Sequence, residues 1–464
     1  MLDVGIAQTA VLALCVLLVV WSVVGVACRA GVDRVGRFGL SAVGRGRRGC
    51  GGWRARWAVV CCAAIGVAVG AVVLTGCSDA ATDRVHDDLT GPAATSMPSA
   101  VVATTATSPP VPGSEQEVRE LTRSGFARVS PGDPGCSIAV SRDGEVVFAE
   151  AYGAALVETG EPMTTETPVD VGSVSKQFTA TAIALLAERG QVDLDASVSR
   201  YVAGLPPWAA QVTIRQLVHH TSGVPDFIDL LIGSGTALTE PATNTDVLEV
   251  LAVELQFPPG SEHRYSNSGY VLLAEVVRQV SGTDLASFLR SEVFEPAGMI
   301  AVADSSGAVP GRASSYTQSG YEGGVATWAI EDSAWTIDGP GGVQTTPTEL
   351  VRWASQYWNP TVGSSAINTI RLDDTFEVPS GARYGYGIGQ WVVDVPDWHK
   401  DAPWNGTRLL GHDGAWEGFI TSFLVAPEHR VAVAATCTTS RIVSHTDLDA
   451  IAERVLFAWV GDTP

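Results

Sequence analysis

The sequence predicts an α+β (α/β sandwich) fold, with an antiparallel sheet drawn from both chain ends, helices on its faces and a mainly helical insertion. Three observations predict it. Strand-like runs occur early, in CSIAVSRDGEVVFAEAYG, and again late, in GFITSFLVAP and HRVAVAATC. The helical patterns VGSVSKQFTATAIALLAERGQ and DLDAIAERVLFAWV accompany those two groups, one near each end. Between them, short helical and loop signals, many prolines and several Gly pairs fill the chain without long strands.

Each element has a local reason. Arg142-Asp143-Gly144 separates two alternating runs, and Gly144 can take the positive φ of a hairpin turn. Apolar residues after Val171 recur at helical spacing and stop at Gly190. In TTPTELVRWASQYW, Thr346 can cap a helix, Pro347 suits its first turn, and Glu349 completes a capping box. The folded part is therefore expected over residues 114–462, with an α/β part at 114–193 and 340–462 and a helical part at 194–339. Cys136 opens the first strand and Cys437 closes the last one. If those strands pair antiparallel, the two sulfurs are neighbours and can form a disulfide.

The N-terminal region reads as targeting rather than fold. Residues 5–28 carry no charge, an arginine-rich stretch follows, and a second uncharged run reaches from Ala58 to Cys77. That run ends in LTGC, which resembles a bacterial lipoprotein box with Cys77 as the lipidated residue. Residues 1–76 thus read as a membrane or signal segment. Either two apolar segments flank cytoplasmic arginines, or translation begins later, near Leu40 or Val43. Both routes place the rest of the chain outside the cytoplasm, in a bacterial cell envelope, held to the membrane by a lipid or a transmembrane anchor. Residues 77–113, rich in Ala, Thr, Ser and Pro, read as a linker. The formal charge is −21, and beyond residue 76 the chain holds 48 acids against 21 bases. Such a surface repels phosphate backbones, so no nucleic-acid partner is expected.

Only two of the 29 basic Lys and Arg residues are lysines, Lys176 and Lys400. Arginine cannot give up its proton in a protein, whereas a buried lysine can. Lys176 lies three residues after Ser173 at the start of a predicted helix, which puts both side chains on one face. The helix dipole there favours an alkoxide, and burial can turn the lysine into a base. Further on, Tyr265-Ser266-Asn267 precedes the apolar helix YVLLAEVV; the phenol can pass a proton and the amide can hold a carbonyl. Near the end, LLGHDGAWEGF brings His412-Asp413-Gly414 into a strand, where Gly414 would let a substrate backbone lie along the edge.

These three motifs, in this order, resemble the serine β-lactamase and penicillin-binding superfamily. The likeness is greatest to its class C β-lactamase, D-alanyl-D-alanine carboxypeptidase and esterase branch. It spans about residues 114–460 and includes VHHTSGVPDF, GPGGVQTTPTEL and YGYGIGQW. The resemblance implies a β-lactamase/transpeptidase-like fold, Ser173 as nucleophile, Lys176 as general base and Tyr265 as proton shuttle. Asn267, His412, Asp413, Gly414, Ala415 and Trp416 would bind substrate, with the Ser173 and Ala415 amides as an oxyanion hole. It implies neither metal nor cofactor, and a small acyl compound or cell-wall peptide as substrate.

His412-Asp413 departs from the lysine-plus-hydroxyl pair that grips a carboxylate in lactam-binding relatives. A neutral histidine attracts an anion less and an aspartate repels it, so esters, amides or D-amino-acid peptides are expected over penicillins. The alternative is that Asp413 points away and keeps His412 protonated. A carboxypeptidase, a class C-like β-lactamase and a non-catalytic envelope protein of the same fold are the other readings. His219 and His220 read as loop structure before metal ligands or a base, Trp328 and Trp335 as packing or pocket lining, Glu262 and Asp226 as an unconvincing glycosidase pair, and Lys400 as an exposed charge.

Overall fold

The computed structural model describes residues 115–393 and 404–461. The expected targeting segment, Cys77, the linker and Lys400 lie outside the described residues. In chain order the elements that place the site are α1 (Glu115–Ser124), β1 (Cys136–Arg142), β2 (Glu145–Tyr152) and α2 (Lys176–Glu188). The middle of the chain supplies α3 (Ile214–Val218), α4 (Phe227–Ser234), α5 (Asn267–Ser281) and α6 (Pro347–Trp353). The closing part contains β3 (Phe376–Glu377), β4 (Arg383–Tyr384), β5 (Gly389–Val392), β6 (Arg408–Trp416), β7 (Phe419–Ala426), β8 (Val431–Cys437) and α7 (His445–Gly461).

One antiparallel sheet in the order β3-β4-β5-β6-β7-β8-β1-β2 joins the two ends of the chain. The β1–β2 turn places Asp143 at φ 55° and Gly144 at φ 89°, both in the left-handed region such hairpins require. Cys136 and Cys437 are directly opposed across β1 and β8 and are joined by a disulfide.

Period-two alternation sorts the inner strands between two cores. Ile138 and Val140 of β1 and Val431, Val433 and Ala435 of β8 pack in one apolar cluster with Val455 and Trp459 of α7. Ala139, Ala432 and Ala434 face the other cluster, where their small side chains admit the helical layer containing α2 and α6. Lys176 to Leu186 of α2 are all buried. A helix buried on every face is the internal scaffold of this domain, and its first turn lies at the functional cleft.

Several details depart from the sequence expectations. Residues 194–339 include a bulged hairpin, Tyr316–Glu322 with Val325–Ile330, its register shifting between Gln318 and Gly320 and its turn made by Gly323 and Gly324 in left-handed conformations. At α6, Thr346 accepts the Glu349 amide at 3.2 Å, but the Glu349 carboxylate turns to the Ile300 amide at 2.7 Å. Only half of the expected capping box forms, because a tertiary donor competes successfully for the side chain. Among the described residues no helix is long and apolar enough to cross a membrane.

Candidate active site

The approach to Ser173 is built by a tightly held turn. Asp170 accepts the Gly172 amide at 2.7 Å and the Gln344 side-chain amide at 2.7 Å, while the Val171 amide bonds to the Val343 carbonyl at 3.1 Å. Gly172 then adopts φ 54°, and a Cβ there would come within 2.6 Å of the Ala415 nitrogen. On the facing strand, a Cβ at Gly414 would come within 2.1 Å of the Val171 carbonyl oxygen. Two missing side chains thus let β6 lie against the turn that carries Ser173. Gly414 was expected to serve substrate, yet it does not line the cleft; its lack of a Cβ is consumed by this backbone contact.

The turn Gly172–Ser175 is 3₁₀ and continues into α2 at Lys176, placing the two functional groups on one side. Lys176 Nζ bonds to Ser173 Oγ at 3.0 Å, to Asn267 Oδ1 at 2.8 Å and to the Pro340 carbonyl at 2.9 Å. Its side chain is completely buried, and burial pushes its pKa down to about 7, against the opposing charges of Asp226 and Asp413. Tyr265, just before α5, donates its hydroxyl to Ser173 Oγ at 2.8 Å. Burial holds that phenol well above its usual pKa, so it is protonated at neutral pH, while the bond to Ser173 works the other way. Ser173, Lys176 and Tyr265, separated by up to 92 positions, therefore share one continuous set of hydrogen bonds.

The third motif forms the opposite wall. His412 is buried on β6, its Nδ1 bonded to the Asp413 carbonyl oxygen, and its ring centre lies 6.2 Å from that of Tyr265. The Asp413 carboxylate sits between two imidazoles, 3.7 Å from His412 Nδ1 and 3.4 Å from His445 Nε2. Burial lowers the proton affinity of His412, the nearby Lys176 lowers it further, and Asp413 opposes both. Burial is the largest of these, so the net direction is toward neutral imidazole. Ala415 and Trp416 also line the cleft, Trp416 with its ring centre 6.3 Å from that of Trp335. The cleft has a volume of about 1230 Å³, room for a small peptide. Among the described residues no group of three or more His, Cys, Asp or Glu side chains is arranged to hold a metal ion.

A family model described as Beta-lactamase matches residues 120–456, most of the chain. The chain belongs to the beta-lactamase family. Among its relatives are a penicillin-binding protein of Bacillus subtilis and a D-aminopeptidase of Brucella anthropi. The first is 29% identical over 314 residues, covering 63% of this chain and 66% of the relative. The second is 30% identical over 295 residues, covering 62% of this chain and 52% of the relative. The chain thus spans about two thirds of one relative and about half of the other. An octameric penicillin-binding protein homologue from Pyrococcus abyssi superposes with a TM-score of 0.60 at 26% identity, covering 75% of this chain and 78% of that one.

In this beta-lactamase-family chain, His219 and His220 are structural, whereas Trp335 lines the cleft. His219 Nε2 bonds to the Asp374 carbonyl at 3.0 Å. His220 accepts the Ser266 amide at 3.2 Å and stacks on Tyr265 with ring centres 4.4 Å apart, so it braces the phenol. Trp328 lies on the hairpin outside the cleft, whereas Glu262 lines the cleft mouth and pairs with Arg264 at 3.7 Å. Asp226 accepts amides of Asn267 and Ile228, so it does not form a carboxylate pair with Glu262. Sequence reasoning missed Asp170, the Pro340 carbonyl and the place of Asp226. Asp226, inside VHHTSGVPDF, and Pro340, inside GPGGVQTTPTEL, lie in stretches that carried a signal; Asp170 does not.

Proposed function

We propose that the chain is a serine hydrolase that forms an acyl-enzyme on Ser173 and prefers amides and esters of small acyl groups, D-amino-acid amides and peptides foremost. The observation that carries this reading is the buried bond set from Lys176 through Ser173 to Tyr265. In the first step Ser173 Oγ bonds to the substrate carbonyl carbon and its proton passes to Lys176 Nζ. The Ser173 and Ala415 amides would hold the oxyanion, each worth about 3–4 kcal/mol. Tyr265 then delivers a proton to the departing amine or alcohol as the carbon–leaving-group bond breaks, and is reprotonated from Lys176. Water, activated by the same groups, releases the acyl product and restores Ser173.

The substrate preference follows from charge. A neutral His412 beside the Asp413 carboxylate offers little to a substrate carboxylate, and Glu377 also lines the cleft; Glu262 there is paired with Arg264, and burial pushes Glu417 up to about 7. An amine-bearing substrate meets attraction there, a carboxylate repulsion. The D-aminopeptidase relative agrees with this direction, whereas the penicillin-binding relative favours carboxypeptidase or lactam chemistry as the second reading. Comparing a D-alanine anilide, its N-acetyl form, a D-Ala-D-Ala peptide and a penicillin decides between them. The free-amine anilide should turn over at least tenfold faster than the penicillin; the reverse order refutes the preference.

Export and attachment to the membrane complete the proposal. They are supported by the LTGC ending at Cys77 and by a disulfide, which persists in oxidising compartments. Fractionation with mass analysis of the mature N-terminus tests this: lipidated Cys77 in the membrane fraction is expected, and an unprocessed cytoplasmic protein contradicts it.

A further inference from the structure

The amine of Lys176 has three hydrogen-bond partners, and two of them, Asn267 Oδ1 and the Pro340 carbonyl, can only accept. A neutral amine has two N–H bonds and one lone pair. With both N–H groups committed to those acceptors, the lone pair is left facing Ser173 Oγ. That is the arrangement a base needs in order to remove the serine proton. It depends on which way the Asn267 amide faces. Turned over, Asn267 would present Nδ2 to the amine and compete with Ser173 for the lone pair.

The orientation is set from behind. Asp226 Oδ2 accepts both the Asn267 main-chain amide at 2.6 Å and its Nδ2 at 2.9 Å. Burial raises the Asp226 pKa and Asp229 adds to this, while the Asn267 and Ile228 amides and the Lys176 charge lower it; as a carboxylate it has no hydrogen to donate, so it selects the orientation with Nδ2 toward itself and Oδ1 toward Lys176. Asp226 is itself fixed, because it caps α4 through the Ile228 amide at 2.9 Å. Its charge also acts directly on the amine, favouring the protonated form against burial. The other ionisable groups near the amine are Asp413 and His412 on β6, together with Tyr265, Tyr270 and His220.

We propose that Asp226 is a positioning residue: it fixes the Asn267 amide and, through it, aims the Lys176 lone pair at Ser173. The proposal rests on the reading that Lys176 takes the Ser173 proton. It also predicts a property of the resting protein that needs no substrate.

The test uses Asp226→Asn, which keeps the size and the capping oxygen but presents an NH₂ group to Asn267. With only two lysines in the chain, protein labelled with ¹³C at lysine Cε gives two lysine signals, and Lys176→Arg assigns them. In Asp226→Asn the Lys176 titration midpoint should fall by at least half a pH unit. Acylation by a p-nitrophenyl ester should slow by at least tenfold, with KM changed less than threefold. In an Asn267→Ala background Asp226→Asn should slow acylation by less than threefold, because its intermediary is gone. Asp226→Ser keeps a good cap and provides the same readings if the asparagine variant folds poorly. An unmoved Lys176 midpoint in a folded variant overturns the proposal, as does an equal rate loss with and without Asn267. Wild-type protein that titrates as expected but is never acylated would instead defeat the hydrolase reading.

Discussion

The most informative perturbation is the removal of proton affinity control at Lys176. Burial pushes the Lys176 amine down to about 7, so a large share of the molecules carry a neutral base at pH 7. A solvated lysine with its usual pKa near 10.4 would be neutral in only about one molecule in 2500. Burial therefore raises the supply of base about 10³-fold, equivalent to about 4–5 kcal/mol of proton affinity. Lys176→Arg keeps the positive charge but cannot supply the base. Single-turnover release of p-nitrophenol, measured from pH 5 to 9 and corrected with Ser173→Ala, reads this directly. In wild type the acylation rate should rise tenfold per unit at low pH and level off above about 7. Lys176→Arg should lose that limb and fall by about 10³-fold at the plateau. An arginine variant that keeps the same limb would show that another group is the base.

Other outcomes follow from the same geometry. Tyr265→Phe should lower acylation by about 10²- to 10⁴-fold while the acid limb near pH 7 stays in place, because the phenol contributes transfer rather than the titrating amine; the pH profile checks both parts. Lys176→Met should stabilise the fold near neutral pH. The unfolded chain binds the lysine proton below about 10.4 but the folded one only below about 7, so wild-type folding carries a penalty that grows as pH falls through that window. Urea midpoints of wild type and Lys176→Met should therefore differ most at or below pH 7 and converge above pH 10. The Cys136–Cys437 disulfide closes a separation of 301 residues, so reduction or a paired Cys→Ser change should cost up to about 5 kcal/mol in urea unfolding. An unchanged midpoint would show that the strands β1 and β8 hold without it.

Parts of this arrangement were legible in the sequence because they are local. Ser173 and Lys176 lie within one turn, and the Arg142-Asp143-Gly144 hairpin announces itself through alternation and glycine. The disulfide pairing required one inference more, that the first and last strands are neighbours. The short strands β3, β4 and β5 were illegible, since two to four residues carry no period. Helix α1 was missed because EQEVRELTRS is mostly polar, with Val118 as its fully buried apolar residue. Asp226 was invisible as a support for Asn267, because its contact crosses 41 positions of loop and helix that no spacing rule connects. The motif GHDGAW located His412, but its protonation depends on burial, which only the fold determines.

The most direct measurement of the central claim is the position of the acyl group. Protein mixed with a p-nitrophenyl ester, quenched during the burst and mapped by peptide mass spectrometry should carry one acyl mass on Ser173. The mass should be absent from Ser173→Ala and strongly reduced in Lys176→Arg at the same time point. An acyl group on another residue, or full burst amplitude without the Ser173 hydroxyl, would contradict the account.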